Sequence, residues 1–303
     1  MKHKLNKKDY IFIGMMTFLP FLQVVIFWGA VNINSIILPF QQYNLANNTF
    51  GFVGFDNLFK NFSKFITDFF HDPFMSMTFK NSLLLFVVGN VIMWPVHLVV
   101  SYCLYKKVLF SKFFTVMLFI PQMVSSVVFV LVFKYFVEYG IPFIVGDSQM
   151  PSLLSNPDTG FNILLVFSQW LGLGGGMIIY IGAMVRIPES IIEYGKIEGI
   201  SALKEFWNVV LPMIFPTMSV HLITCVMGLF TNQFVLIPFY GTAAPYSMQT
   251  FGYYFFVMVI GENSSYTSYP YAAAASLVFT LTVLPISLFV KWACEKFGPN
   301  PEY

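Results

Sequence analysis

Long apolar runs alternate with short polar intervals along this chain, and the runs set its architecture. Six stretches carry no Asp, Glu, Lys or Arg: residues 11–37, 83–104, 113–133, 161–185, 213–238 and 271–290. Each is long enough to cross a hydrocarbon core of about 30 Å as a helix. The pattern predicts an all-α integral membrane protein with six transmembrane helices in a single domain, residues 1–303. The first run follows the basic tail Lys2, Lys4, Lys7, Lys8. It is too long for a signal peptide and has no small-residue cleavage site after it, so a retained helix is expected. The interval 39–81 is rich in phenylalanine and is expected to lie on the outer membrane surface or cap the helices, with Lys60, Lys64 and Asp68 towards water. Residues 137–160 contain Pro142, Pro151 and Pro157 and should be irregular, whereas the aromatic stretch 253–256 suggests a short interfacial helix.

Composition agrees with this reading: 57% of the 303 residues are hydrophobic and 10% charged, far from a soluble balance. Charge placement adds direction. With the N-terminus inside, the inner intervals carry Lys2, Lys4, Lys7, Lys8, Lys106, Lys107, Lys112, Arg186, Lys196, Lys204, Lys291 and Lys296, and the outer ones only Lys60, Lys64, Lys80 and Lys134. The positive-inside rule then predicts that both termini and the interval 189–208 are cytoplasmic. The net charge of +2 follows from this topology and gives no sign of nucleic-acid binding. Cys103, Cys225 and Cys294 lie in or beside predicted helices, so neither a disulfide framework nor a metal centre is indicated.

The interval 189–208 is the most informative. Ser190 and Glu193 fit a capping box and predict a helix starting at Ser190, with Ile191, Tyr194 and Ile197 on one apolar face. Gly199 is suited to end it in a left-handed conformation. Ser201 can cap a second helix running towards Trp207, and Pro212 and Pro216 mark the return to the membrane. By local physics alone this is either a docking element or an amphipathic helix resting on lipid.

In order and spacing, Glu193-Tyr194-Gly195, Gly199, Phe206, Val209, Leu211-Pro212 and Pro216 resemble the ATPase-docking loop, with its Glu-Ala-Ala motif, of bacterial ABC-importer permeases. Tyr194 and Gly195 replace the two alanines, and Glu198 stands where Asp is commoner. The run Gly51-Phe52-Val53-Gly54-Phe55-Asp56-Asn57 resembles an outer-loop sequence of the sugar-type permeases. The resemblance implies a type I ABC-importer permease fold in a bacterial cytoplasmic membrane. It also implies ATPase docking through Glu189, Ser190, Glu193, Tyr194, Gly195, Ile197, Glu198, Gly199 and Phe206. The partners it implies are a second homologous permease, a cytoplasmic ATPase dimer that holds the ATP and magnesium, and an extracellular solute-binding protein. This chain is expected to bind no cofactor itself, and it has no phosphate loop of the G-x-x-x-x-G-K-[ST] type.

No charged residue lies deep in a predicted span, which disfavours an ion-coupled secondary transporter, and no convergent catalytic constellation suggests a membrane enzyme. The polar residues within the spans are neutral amides, hydroxyls and imidazoles, with aromatic neighbours such as Trp170, Phe230 and Phe234. They suit a neutral polyhydroxy ligand, although interhelical hydrogen bonding would use the same residues. In sugar-type permeases the fourth and fifth spans line the path. The resemblance therefore assigns Ser168, Gln169, Gly172 and Gly175, with Thr231, Asn232 and Gln233 opposite and Gln122 nearby. A permease for a non-sugar solute remains the alternative. The glycines Gly172, Gly174, Gly175 and Gly176 serve either close helix packing or backbone exposure to the substrate, and His97 and His221 read as satisfied core groups.

Overall fold

The computed structural model describes residues 6–147, 150–262 and 264–299; Lys2 and Lys4 lie outside the described residues. Among them, six helical spans are long and apolar enough to cross a membrane. The chain forms two compact units, one from the described residues up to Asp68 and those between Asn263 and Val278, the other from Phe69–Glu262 and from Phe279 onwards.

The first unit begins with α1 (Lys7–Phe40). Asn6 caps it through a reciprocal pair, its side chain accepting from Lys7 N–H while Asp9 accepts from the Asn6 backbone. A hairpin follows, β1 (Gln41–Asn44) paired antiparallel with β2 (Thr49–Phe52). The loop turns on Asn48 at φ +51° and on the Asn44 side chain, which accepts from Ala46 N–H. Helix α2 (Phe55–His71) is amphipathic and buries Asn57, Leu58 and Phe65. The Asn57 amide donates to the carbonyls of Gln41 (2.5 Å) and Pro39 (3.3 Å), fastening the hairpin to the helix. Lys60 and Lys64 are exposed as expected. Asp68 is not simply solvated: it accepts from the Tyr271 hydroxyl at 2.8 Å.

In the second unit, α3 (Pro73–Tyr105) starts ten residues before the charge-free run because Asp72 caps it and Pro73 occupies its first turn. The expected third span, 113–133, is divided into α4 (Ser111–Met123) and α5 (Ser126–Val145). Pro121 cannot donate to the Met117 carbonyl, and Val124 and Ser125 leave the helical region. Helix α5 also runs into the interval expected to be irregular. Then come α6 (Pro157–Met184), α7 (Glu189–Ile197) and α8 (Ala202–Met227). The expected fifth span, 213–238, is also corrected. It starts earlier, because the second helix of the interval 189–208 continues into it through Pro212 and Pro216, and it stops at Met227. There Gly228 accepts from the N–H groups of Thr231 and Asn232 in a non-helical turn. Short helices α9 (Leu236–Tyr240) and α10 (Phe251–Ile260) follow, and α10 matches the expected aromatic helix; α11 (Tyr269–Phe297) belongs to the first unit as far as Val278 and to the second from Phe279.

Of the four π-helical turns among the described residues, three sit just before a proline and the fourth, Val24–Gly29 within α1, does not. Met93 N–H bonds the Val88 carbonyl ahead of Pro95, Ile141 bonds Phe136 ahead of Pro142, and Leu211 bonds Phe206 ahead of Pro212. Wider bonds reassign carbonyls next to a residue that has no N–H of its own.

Three apolar clusters hold this unit. One gathers Leu164, Phe167, Leu236, Phe239, Met248 and Tyr253, a second Tyr102, Tyr180, Met184, Ile192, Phe206 and Val210, and a third Met75, Val226, Phe230 and Phe251.

Changing Asn57 to Ala removes both hairpin bonds, a local cost of about 1–3 kcal/mol. Amide exchange over Gln41–Phe52 should then accelerate about tenfold or more, while exchange across α6 stays as in the parent.

Candidate functional site

A cavity of about 320 Å³ opens among α3, α6, α8 and the turn that follows α8. Its polar wall is supplied by Ser82, Asn90 and His97 from α3, Gln169 from α6, His221 and Cys225 from α8, and Asn232 from the turn; Leu85, Phe86, Ile179 and Leu229 supply apolar surface. Among the described residues, no Asp, Glu, Lys or Arg lines it. A small, partly apolar concavity with a few converging neutral donors and acceptors suits recognition of an uncharged polar solute.

The four glycines divide between both expected uses. A Cβ on Gly174 would meet the Leu118 carbonyl at 2.5 Å, one on Gly175 the Gln122 amide at 2.8 Å, and one on Gly176 the His97 ring at 2.8 Å. These three allow α6 to approach its neighbours closely. Gly172 has nothing within 4 Å and exposes its backbone to the cavity.

Of the residues assigned to the path, Gln169, Gly172 and Asn232 line the cavity. Gln122 instead donates to the Leu171 carbonyl (3.1 Å), Ser168 donates to the Leu165 carbonyl (2.8 Å), and Gly175 packs beneath Gln122. Thr231 and Gln233 belong to the turn but not to the lining. Of the two histidines expected as satisfied core groups, His97 is buried and His221 half-buried. Both line the cavity, His221 stacking on Trp94 and lying 3.3 Å from Cys225 Sγ, and His97 Nε2 is buried with no hydrogen-bond partner among the described residues. Their spacing along separate helices carried no signal for this convergence, which only tertiary packing creates.

The turn bearing Asn232 is held from outside the spans. Thr250 donates to the Asn232 carbonyl at 2.9 Å, and Asn232 Oδ1 accepts from Phe234 N–H at 2.7 Å, with Phe234 at φ +59°. A Cβ on Gly252 would strike the Thr231 carbonyl at 2.5 Å. Asn81 secures the preceding segment through the carbonyls of Ser247 and Gln249. Tyr240 donates to the Leu154 carbonyl at 2.8 Å; burial, assisted by the nearby Glu138 carboxylate, pushes this phenol up to about 12.

The interval 189–208 forms a second site. Helix α7 begins at Glu189 behind Pro188, not at a Ser190 cap: Ile191 N–H bonds the Pro188 carbonyl, and no side chain caps the start. The proline at 188 sets the entry, which leaves Ser190 inside the first turn, where it cannot cap. The end is as expected. Gly199 has φ +66°, with Gly199 N–H on the Lys196 carbonyl and Ile200 N–H on the Gly195 carbonyl, the paired bonds of a Schellman motif. Gly195 leaves room there, since a Cβ would approach Ile200 Cδ1 to 2.8 Å. Ser201 caps α8 by accepting from Lys204 N–H. Ile192, Gly195 and Phe206 are buried, whereas Tyr194 and Ile197 are 65% and 83% exposed beside the exposed Glu193 and Glu198. Half of the loop is therefore anchored and the other half presented.

Residues 95–300 match the family of binding-protein-dependent transport system inner membrane components, and the chain belongs to that family. It is thus a transport subunit of an ABC importer, with ATP hydrolysis on a separate subunit. It is similar to the multiple sugar-binding transport system permease protein MsmF of Streptococcus mutans, 23% identical over 91% of this chain and 92% of that protein. It is also similar to the lactose transport system permease protein LacF of Rhizobium radiobacter, 26% identical over 75% of this chain and 78% of that one. A solved bacterial alginate ABC transporter, in complex with an alginate pentasaccharide-bound periplasmic protein, has the same fold: TM-score 0.74, 19% identity and 96% of both chains covered.

Gly252→Ala should lower the thermal unfolding midpoint of the purified protein, since overpacking against backbone costs about 1–3 kcal/mol. Gly172→Ala, facing open space, should leave the midpoint within about a degree, well below the shift a 1 kcal/mol change produces.

Proposed function

We propose that the chain forms half of the translocation path for a neutral sugar or oligosaccharide across a bacterial cytoplasmic membrane. A second homologous permease would complete the path, an extracellular solute-binding protein would deliver the ligand, and a cytoplasmic ATPase dimer would drive the cycle. Both termini and the 189–208 loop are cytoplasmic in this reading, as the lysine distribution favours. The observation that carries it is the loop: an anchored helix–turn–helix that offers Glu193, Tyr194, Ile197 and Glu198 to a partner, in a chain of the importer family. The names of the sugar-transporting relatives support the substrate class. The uncharged cavity lining also suits hydroxyl-bearing ligands.

Mechanically, the loop is rigid enough to act as a lever. Its inner face is buried against α3 and α6 and its turn is closed by paired backbone bonds, so force from a closing ATPase cleft moves it as a body. At the other end, the amides of Gln169 and Asn232 can exchange hydrogen bonds with ligand hydroxyls, and Gly172 lets a ligand pass close to backbone.

Gly199→Val and Glu193→Lys test the docking role. Val disfavours positive φ, and Lys reverses the charge offered to the ATPase. Both variants should insert normally, but the ATPase subunits should co-purify poorly or hydrolyse ATP without responding to ligand-loaded binding protein. Assembly and transport at parental levels would contradict the proposal. For the path, Gln169→Ala should weaken uptake in a reconstituted importer by about 1–3 kcal/mol, the worth of a desolvated polar contact, and Gln233→Ala should change it little.

A further inference from the structure

The loop is joined by the chain itself to two of the helices that line the cavity. Helix α6, with Gln169, Gly172 and Gly176, leads into it, and α8, with His221 and Cys225, leads out. The third wall, α3, carries Ser82, Gly89, Asn90 and His97 and has no such covalent connection. It ends at Tyr105, and the contact that joins its end to the loop is unlike the rest of the packing. Lys106 reaches Glu205 with Nζ 2.8 Å from Oε2 in a hydrogen bond and 2.6 Å from Oε1 in ion contact. Glu205 is only 4% exposed, while its neighbours Leu203, Lys204 and Trp207 are exposed. Beside the pair, the Tyr102 hydroxyl donates to the Ala202 carbonyl at 2.9 Å, and the Tyr102 and Phe206 rings lie 4.9 Å apart. The Lys106 ammonium also sits at the carbonyl end of α3, where a cation is favoured.

Apolar side chains in contact can slide past one another, but an ion pair with a buried carboxylate and a lysine side chain 25% exposed, together with the adjacent Tyr102 hydrogen bond, fixes one register. Removing Lys106 leaves the buried Glu205 carboxylate without its compensating charge. The geometry points to Lys106 and Glu205 as a positioning pair for energy coupling: they clamp α3 to the loop, so that loop movement reaches all three walls of the cavity together. From Lys106 the helix runs back nine residues, about 14 Å at 1.5 Å per residue, to His97 at the cavity. This inference rests on the docking reading of the loop. Glu205 faces inward and is not among the residues offered to the ATPase.

The test uses the complete importer in proteoliposomes with ligand-loaded binding protein, and reads ATP hydrolysed per solute imported, alongside ATPase co-purification and thermal stability. Glu205→Gln and Lys106→Met should still assemble with the ATPase, but should consume about tenfold more ATP per solute, within the range of ordinary coupling between sites. The exchanged pair, Lys106→Glu with Glu205→Lys, should return the ratio towards the parent. An unchanged ratio in the assembled single variants overturns the clamp. So does an exchanged pair that assembles but stays uncoupled, or a failure of single and exchanged variants alike to assemble, which would mark a folding element. If the single variants alone fail to assemble, a parental ratio in the exchanged pair supports the clamp. The Gly199→Val and Glu193→Lys variants separate the two ideas. If these keep ATPase binding and transport, the docking reading itself fails; if they lose them while Glu205→Gln stays coupled, only the clamp fails.

Discussion

Every backbone N–H and C=O that enters the hydrocarbon must find its partner within the protein, and the rest of this structure follows from that constraint. It makes the six apolar runs helical. It also explains three of the irregular turns, because Pro95, Pro142 and Pro212 each lack the N–H that a regular turn would use, and a wider turn beside each absorbs the mismatch. The turn ahead of Pro95 brings Gly89 and Asn90 to the cavity wall. Where the chain leaves the helical pattern, after Met227, side chains and loop carbonyls take over: Asn232 serves Phe234, and Thr250 serves Asn232.

Much of this was legible beforehand. Absence of charge over some twenty residues identified the spans, because burying a charge in lipid costs more than any local preference can offset. Gly199 was readable for a related reason: a left-handed residue is needed to close the turn, and glycine supplies it. The boundaries were less legible. Lys80 lies inside α3 although it ends the charge-free run, since a helix can extend past the apolar zone with its polar side chains outward. Ser190 looked like a cap because the Ser-x-x-Glu spacing is right, but Pro188 starts the helix first. The interval 213–238 hid the stop at Gly228, since apolar composition continues across a turn as readily as along a helix.

The cavity was legible only in part. Gln169, Gly172 and Asn232 stood out as polar or small residues in apolar runs, but Gln122, Ser168 and Gly175 have the same sequence signature and are used for packing between or within helices. Which face of a nearly all-apolar helix meets the cavity is decided by its neighbours, not by its own periodicity. His97, His221 and Cys225 converge from two helices more than a hundred residues apart in the chain. Lys106 and Glu205 are similar: each reads as an ordinary interfacial charge until α3 and the start of α8 are placed side by side.

The loop presents one face outward while the other is anchored, and cross-linking reads this directly. A photoreactive amino acid at position 194, exposed on α7, should form an adduct with the ATPase subunit in membranes where the whole importer is expressed, and the same group at the buried position 192 should not. Adducts from position 194 to lipid alone, with the ATPase present and assembled, would contradict the claim that this face is where the importer is driven.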